Sequence, residues 1–182
     1  MKQLPVVHQS RLIEPRFKIE QMDLEFANGE RRTYERIQGS GRQVVVIVPM
    51  LDADTVLLIR EYAAGLHRYE LGLPRGRVDP GETLLQGAQR ELQEETGFGA
   101  RELLILRTLS LAPTYMSQIA HVVLARDLFE ERLPGDEPEE IEVVPWKIDQ
   151  LHQLLTLEEF SEGRAMAALF LAREWLRQGR SE

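Results

Sequence analysis

Alternation of apolar and polar residues dominates the N-terminal part of the chain and predicts an antiparallel β-hairpin. Residues 17–38 alternate in polarity on both sides of Asn28-Gly29, a dipeptide typical of tight primed turns. The glycine-rich triplet 39–41 follows and is interpreted as a hinge. Because an isolated two-stranded hairpin is marginally stable in water, we expect this arm to pack against a larger surface, preferably a second copy of the chain.

Continuous apolar runs replace this alternation after the hinge. Val44–Val48 predicts a buried strand, residues 52–54 predict a turn, and Val56–Arg60 is expected to be the antiparallel partner of the first strand. Further strands are predicted at Leu103–Leu109, Ile119–Ala125 and Glu142–Trp146, and helices at Ile148–Leu155 and Glu162–Leu176. The order of these elements favours a mixed sheet covered by helices.

Start and stop signals predict one more helix, from Leu84 to about Thr96. Thr83 and Gln86 have the spacing of a capping box, and Gly97 is a typical residue beyond the last helical turn. Helical periodicity predicts an apolar stripe formed by Leu84, Ala88 and Leu92 and widened by Leu85.

Three carboxylates crowd the end of this predicted helix. Glu91 is three and four residues from Glu94 and Glu95, and like charges at those spacings destabilise a helix by roughly 0.2–0.5 kcal/mol per pair. Glu91 and Glu95 also fall on or beside the apolar stripe, near the end of the helix that disfavours anions. A divalent cation would reverse these penalties, whereas a solvated acidic face is the alternative without a ligand.

Composition limits the classes of protein to which the chain can belong. Its 182 residues suit one domain with a small appendage, and 43% hydrophobic residues suffice for a sizeable core. The net charge of −8 argues against a nucleic-acid polymer as partner. With no cysteine, apolar leader or membrane-spanning run, we expect a cytoplasmic protein without disulfides or thiolate chemistry.

A specific motif occupies residues 76–98, which read GRVDPGETLLQGAQRELQEETGF. Gly76, Glu82 and the run from Arg90 to Gly97 have the spacing of a Nudix box at every fixed position. The one mild departure is at the last residue, a phenylalanine where an aliphatic residue is usual. The chain therefore resembles the Nudix hydrolase family.

This resemblance implies an α/β fold, namely a Nudix-type α/β/α sandwich with a mixed sheet and an added N-terminal antiparallel β-hairpin arm. We expect the arm at 1–42 and the Nudix hydrolase domain at 43–182. The arm is the expected dimerisation element of a homodimer.

The resemblance also implies a cation site. Glu91 and Glu95, with Glu94, are expected to hold Mg²⁺, with Mn²⁺ or another divalent cation as the alternative. The backbone carbonyl of Arg75 is the expected further ligand, which leaves its side chain to contact phosphate.

The remaining catalytic groups are expected on both sides of the box. Arg90, with Glu82, occupies box positions that orient the metal-binding glutamates, and a purely structural ion pair is the alternative. In similar hydrolases the base lies on a loop rich in acidic residues, and residues 130–142 fit that description. The candidates, in order of preference, are Glu139, Glu137 and Glu140. A solvated acidic loop without a catalytic role is the alternative.

Substrate contacts are expected from residues similar to those of ADP-sugar hydrolases in the family. Arg60 resembles a basic residue that contacts substrate, and Glu70 matches a glutamate near the site; a surface arginine and a strand-end cap are the alternatives. Pro113 and Tyr115 have the spacing of substrate markers for ADP-ribose and dinucleoside polyphosphates. The implied reaction is metal-dependent hydrolysis of the diphosphate bond in ADP-ribose, NADH or diadenosine polyphosphates, with release of AMP.

Two other functions stay open at this level. A Nudix-like sensor that binds ADP-ribose or NAD without turnover would be expected to have lost box glutamates, and all three are present. A Nudix hydrolase that prefers nucleoside triphosphates or capped nucleic-acid ends is compatible with the box itself.

Overall fold

The structure, a computed structural model, describes residues 3–9, 18–39 and 41–179. Its strands are β1 (Lys18–Glu25), β2 (Arg31–Gln38), β3 (Val44–Pro49), β4 (Thr55–Ala63), β5 (Arg68–Gly72), β6 (Arg75–Arg77), β7 (Phe98–Ser110), β8 (Ile119–Glu130) and β9 (Glu142–Lys147). Its helices are α1 (Leu84–Thr96), α2 (Leu151–Leu154) and α3 (Gly163–Arg177), with a 3-10 turn at Ile148–Gln150. Ser40 of the predicted hinge and residues 10–17 of the predicted arm lie outside the described residues.

The N-terminal arm contains the predicted hairpin. β1 and β2 pair antiparallel and in register along their whole length. The prediction of a tight primed turn is wrong, because both primed types need a positive φ at the first central residue, and neither Ala27 nor Asn28 has one. The Gly29 N–H donates to the Phe26 carbonyl at 2.8 Å, so the turn sits inside a longer loop.

Two sheets form the main domain. The first has the order β6-β3-β8-β7, in which β3 runs parallel to β8 and the other neighbours are antiparallel. The second is antiparallel, with the order β5-β4-β9. The expected pairing of Val44–Val48 with Val56–Arg60 is therefore wrong, since an isolated bridge between Met50 and Val56 is what joins β3 to β4.

Burial explains this difference. All six residues of β3 are buried, so the strand lies inside a sheet and takes neighbours on both edges from β6 and β8, which are distant in sequence. Strands β5 and β6 were not predicted, because they are short and Leu73-Pro74 separates them.

Helices cover both faces of the first sheet. Alternate residues of β3 enter two separate cores, because successive side chains of a strand point to opposite faces. The core on the α3 side contains Val44, Val46, Val48, Ala165, Ala168 and Leu169. The core on the α1 side contains Val45, Ile47, Val78, Ala88 and Leu92. This arrangement confirms the predicted α/β/α sandwich with a mixed sheet.

The helix boundaries largely follow the sequence signals. α1 has the predicted bounds, with the Thr83–Gln86 capping box and a left-handed Gly97 after its last turn. The helix predicted at Ile148–Leu155 is instead a 3-10 turn followed by four α-helical residues, neither of which begins with a side-chain cap. No helix in the described part of the chain is long and apolar enough to cross a membrane.

The apolar stripe of α1 generates a prediction. Leu92 is fully buried, whereas Leu85 is 37% exposed and does not widen the stripe as expected. We predict that Leu92→Ala destabilises the protein by about 2–5 kcal/mol, because it leaves a cavity between α1 and the sheet. The matched Leu85→Ala should cost less than about 1 kcal/mol. Urea denaturation measures the stability of both variants. Equal losses of stability would contradict the packing of α1 on the sheet through Leu92.

Candidate active site

The close contact between α1 and β6 positions the first carboxylate of the site. Gly76 lies on β6 opposite Val45, and α1 crosses directly above it. A Cβ atom at position 76 would collide with the carboxylate of Glu91. Glycine is therefore required here, because the backbone of β6 and the Glu91 side chain occupy adjacent space.

Arg90 connects the glutamates of the box. Its Nε donates to Glu82 at 2.9 Å, and one terminal nitrogen donates to both Glu91 and Glu94, each at 2.9 Å. The other terminal nitrogen reaches the Arg77 carbonyl at 2.8 Å, so the guanidinium is tied to β6 as well. Hydrogen bonding to Arg90 lowers the pKa of Glu82. The expected ion pair between Glu82 and Arg90 is thus present, and it extends to two further carboxylates.

Glu95 is the most deeply buried of the three clustered glutamates. The residue is 4% exposed, and its Oε2 accepts a hydrogen bond from the Arg75 backbone N–H at 2.9 Å. Burial raises the pKa of Glu95 well above its usual value, and the Arg75 N–H opposes that rise. The negative charges of Glu61 and Glu91 raise it further. The positive charge of Arg75 also opposes the rise, but the Arg75 side chain is itself paired with Glu61.

The donor set fits a hard divalent cation. Burial also raises the pKa of Glu91, against the opposing effect of Arg90. As the side chains stand, no three Asp, Glu or His residues of the described ranges converge on one cation position. Arg90 holds Glu91 and Glu94 on one side while the Arg75 N–H holds Glu95, which accounts for their separation. Oxygen donors with an unmet negative charge are what Mg²⁺ and similar ions bind.

The loop between β8 and β9, residues 131–141, is called the acidic loop here. Glu137 is the half-buried residue of the stretch 131–140, and the other nine are exposed. A Cβ atom at Gly135 would meet both the Glu137 carboxylate and, at 3.8 Å, the Glu94 carbonyl oxygen, so Glu137 lies beside the last turns of α1. Glu139, the first choice from sequence, instead accepts a hydrogen bond from the Tyr69 hydroxyl. Glu140, the third candidate, is exposed.

A cavity of about 1020 Å³ opens beside the second sheet. Its lining includes Arg60, Arg68, Tyr69, Glu142 and Glu159. Arg60 donates two hydrogen bonds to Glu159, at 3.1 and 2.8 Å, and one to Glu142 at 2.7 Å. The structure therefore places Arg60 in a concave site with its guanidinium already paired to carboxylates.

Two other predicted substrate residues have different surroundings. Glu70 is buried, and its oxygens accept hydrogen bonds from Arg68 and from the hydroxyl of Ser161, the latter at 2.7 Å. Tyr115 is 54% exposed on the connection between β7 and β8, where its carbonyl accepts a hydrogen bond from the Ile37 N–H at 2.7 Å. The structure brings Tyr115 to the base of the arm and does not place it among the box glutamates.

Sequence reasoning missed two residues of this region. Glu61 pairs with the Arg75 side chain and contributes to the raised pKa of Glu95. Tyr69 bonds to the acidic loop. Strand periodicity carries no signal for Glu61, because it places Glu61 on the face of the strand opposite the candidate Arg60. No signal exists for Tyr69 either, because its partner is 70 residues away.

The burial of Glu95 generates a prediction about stability. In the folded chain Glu95 binds a proton more tightly than its ordinary pKa of 4.5 implies, so its ionisation destabilises the fold as pH rises above that value. Glu95→Gln keeps an oxygen for the Arg75 N–H and carries no charge. We predict that this variant is more stable than the parent at about pH 7 in a chelator and loses the advantage near about pH 4.

The matched control is Glu102→Gln, which removes an exposed pair with Arg126 and should change stability by less than about 1 kcal/mol. Denaturant midpoints at the two pH values provide the measurement. A Glu95→Gln variant less stable than the parent at neutral pH would show that the buried charge is compensated within the fold.

Comparisons with known proteins agree with this arrangement. The NUDIX domain model matches residues 41–170, and the NudE-type Nudix hydrolase N-terminal domain model matches residues 4–36. The chain is 50% identical over 175 residues to the ADP compounds hydrolase NudE of Escherichia coli strain K12, covering 96% of this chain and 91% of that protein.

Two further similarities are informative. The ADP-ribose pyrophosphatase of Bacillus subtilis strain 168 is 28% identical over 149 residues, which cover 81% of this chain and 80% of that protein. A crystal structure of an ADP compounds hydrolase superimposes with a TM-score of 0.83 at 48% identity, covering 98% of this chain and 95% of that one. The chain therefore belongs to the Nudix hydrolase family and is a Nudix hydrolase.

Proposed function

We propose that this enzyme hydrolyses the diphosphate bond of ADP-containing small molecules in a reaction that depends on Mg²⁺ or another divalent cation. The proposed substrates are ADP-ribose, NADH and diadenosine polyphosphates, and AMP is the common product. The observation that carries the proposal is the buried Glu95 beside Glu91 and Gly76, in a chain half identical to a hydrolase of ADP compounds.

The cation would be held by Glu91 and Glu95, with Glu94 and the Arg75 carbonyl as further oxygen donors. When bound, such a cation polarises phosphoryl oxygens, neutralises diphosphate charge and lowers the pKa of an attacking water. Arg90 supports this role because it orients Glu91 and Glu94 through hydrogen bonds that originate from a single side chain.

Glu137 is the proposed general base. Its position beside the last turns of α1 and its partial burial distinguish it from the exposed members of the acidic loop. A carboxylate there can accept the proton of the water that attacks phosphorus, provided that it lies within hydrogen-bond reach of that water. The Arg75 side chain, on the strand beside Glu95, is proposed to contact phosphate in exchange for its bond to Glu61.

The part of the substrate beyond the reacting phosphate is proposed to bind in the cavity that Arg60 lines. Glu142 and Glu159 pre-orient the guanidinium, and together they raise the pKa of Arg60 above its usual value. Arg60 therefore stays charged and presents its planar donor group to phosphate or ribose oxygens. Tyr115 remains a predicted substrate contact, although it lies at the base of the arm and not in the lining of this cavity.

A panel of substrates tests the proposed reaction. We predict Mg²⁺-dependent release of AMP from ADP-ribose, NADH and diadenosine triphosphate, with slower turnover of GTP. Reactions in ¹⁸O-labelled water, followed by mass spectrometry of the products, identify the phosphorus attacked. Glu95→Gln should lower kcat by at least about 100-fold, because it removes a charged cation ligand. Preference for GTP, or no hydrolysis of any ADP compound, would refute the substrate assignment.

We also propose that the arm forms a homodimer. Three apolar side chains on one face of the hairpin are exposed, namely Leu24, Phe26 and Tyr34. The base of the hairpin is attached to the rest of the chain through Ile37, whose N–H donates to the Tyr115 carbonyl. A cavity of about 490 Å³ lies between the rest of the hairpin and residues 110–119. A second copy that covers this apolar face would supply the burial that a two-stranded hairpin needs.

Sedimentation tests the homodimer. We predict that the parent sediments as a dimer and that Leu24→Asp shifts it towards the monomer, because the substitution places a charge on the proposed interface. The matched control is Leu66→Asp, in the exposed turn between β4 and β5, which should leave the dimer intact. A parent that sediments as a monomer, or equal effects of the two substitutions, would contradict the proposal.

A further inference from the structure

The acidic loop is attached to the rest of the fold at both of its ends. On the N-terminal side, the N–H of Glu131 donates to the Gly97 carbonyl at 2.9 Å, and that of Leu133 donates to the Gln93 carbonyl at 3.3 Å. On the C-terminal side, Glu139 accepts a hydrogen bond from the Tyr69 hydroxyl. The loop is therefore fixed to the C-terminal end of α1 on one side and to β5 on the other.

Glu137 lies on the short span between these two attachments. A Cβ atom at Gly135 would collide with the Glu137 carboxylate and would lie 3.8 Å from the Glu94 carbonyl oxygen. The Glu137 side chain therefore folds back over Gly135, beside the last turns of α1 that carry the clustered glutamates. Because both ends of the span are held, little conformational freedom remains to be lost when Glu137 takes up one position.

The neighbours of Tyr69 hold its side chain in a position suited to anchoring the loop. Tyr62 lies opposite Tyr69 on the neighbouring strand, and the two rings meet edge to face with centroids 6.0 Å apart. The Tyr62 hydroxyl is in turn bonded to Nδ1 of His67 at 2.6 Å. The direction of the Tyr69 hydroxyl is thus set by a paired strand and a packed ring, both of which are more rigid than the loop it holds.

We propose that Tyr69 is a positioning residue that acts through Glu139 to hold the acidic loop, so that Glu137 faces the cation-binding glutamates. The catalytic consequence of this inference rests on the proposed function, and its structural consequence rests on the contacts of Tyr69 and the loop. It assigns Glu139 to loop attachment and Glu137 to the proton transfer.

Kinetics with an ADP compound test the catalytic consequence. We expect Tyr69→Phe to lower kcat by about 10-fold, because the loss of positioning lowers the population of reactive geometries. The KM should change by less than about twofold, since the cavity lining keeps the ring. Tyr62→Phe is the matched control, because it removes a hydroxyl from the same aromatic pair without touching the loop bond. An equal loss of kcat in both variants would overturn the proposal.

Substitutions at Glu139 separate anchoring from catalysis. Glu139→Gln keeps an oxygen that can accept the Tyr69 hydroxyl, so it should retain more activity than Glu139→Ala. The effect of Tyr69→Phe should vanish in the Glu139→Ala background, because the two residues act through one bond. Additive losses, or a Glu139→Gln variant as impaired as Glu139→Ala, would overturn the assignment of Glu139 as an anchor.

Hydrogen exchange tests the structural consequence without any substrate. In the intact protein, Tyr69→Phe should accelerate amide exchange in residues 134–140 and leave α1 unchanged, whereas Tyr62→Phe should leave both unchanged. Unchanged exchange in the loop of Tyr69→Phe would refute the anchor even if the enzyme hydrolyses ADP compounds. Faster exchange in a protein that hydrolyses none of them would refute the proposed function and leave the anchor standing.

Discussion

The contact of α1 with β6 at Gly76 is the constraint on which the candidate site depends. It allows a helix and a strand to approach so closely that the Glu91 carboxylate lies against backbone. A Cβ atom at position 76 would displace the Glu91 carboxylate from this place. The buried Leu92 on the same helix provides the apolar contact that holds α1 on the sheet.

The carboxylates around this contact are unequally neutralised by positive charge, and this inequality bears on the chemistry of the site. Arg90 neutralises the outer part of the cluster through Glu82, Glu91 and Glu94. Glu95 lies deeper, with a single backbone N–H and with other carboxylates nearby. A protein that needed only stability would gain by replacing that carboxylate, so its presence is best explained by a positively charged ligand.

The proposed cation ligands and the proposed general base are held in position by different parts of the fold. The glutamates proposed to bind the cation lie on a capped helix packed on a buried sheet, where their positions are fixed by the core. The proposed base lies on a loop that is held by a few bonds at its ends. The position of the proposed base therefore depends on those few bonds, whereas the geometry of the proposed cation site depends on the core.

Sequence alone determined what depends on local spacing: the hairpin, the bounds of α1, the box and the pairing of Glu82 with Arg90. The hairpin and the bounds of α1 follow from strand and helical periodicity and from capping, which act over a few residues, whereas the box and its Glu82–Arg90 pair follow from the family resemblance. Tertiary structure decided the neighbours of β3, the attachment of Glu139 to Tyr69 and the location of Tyr115 beside the arm. These contacts join residues far apart in the chain, and their formation depends on how the buried layers pack rather than on any local pattern.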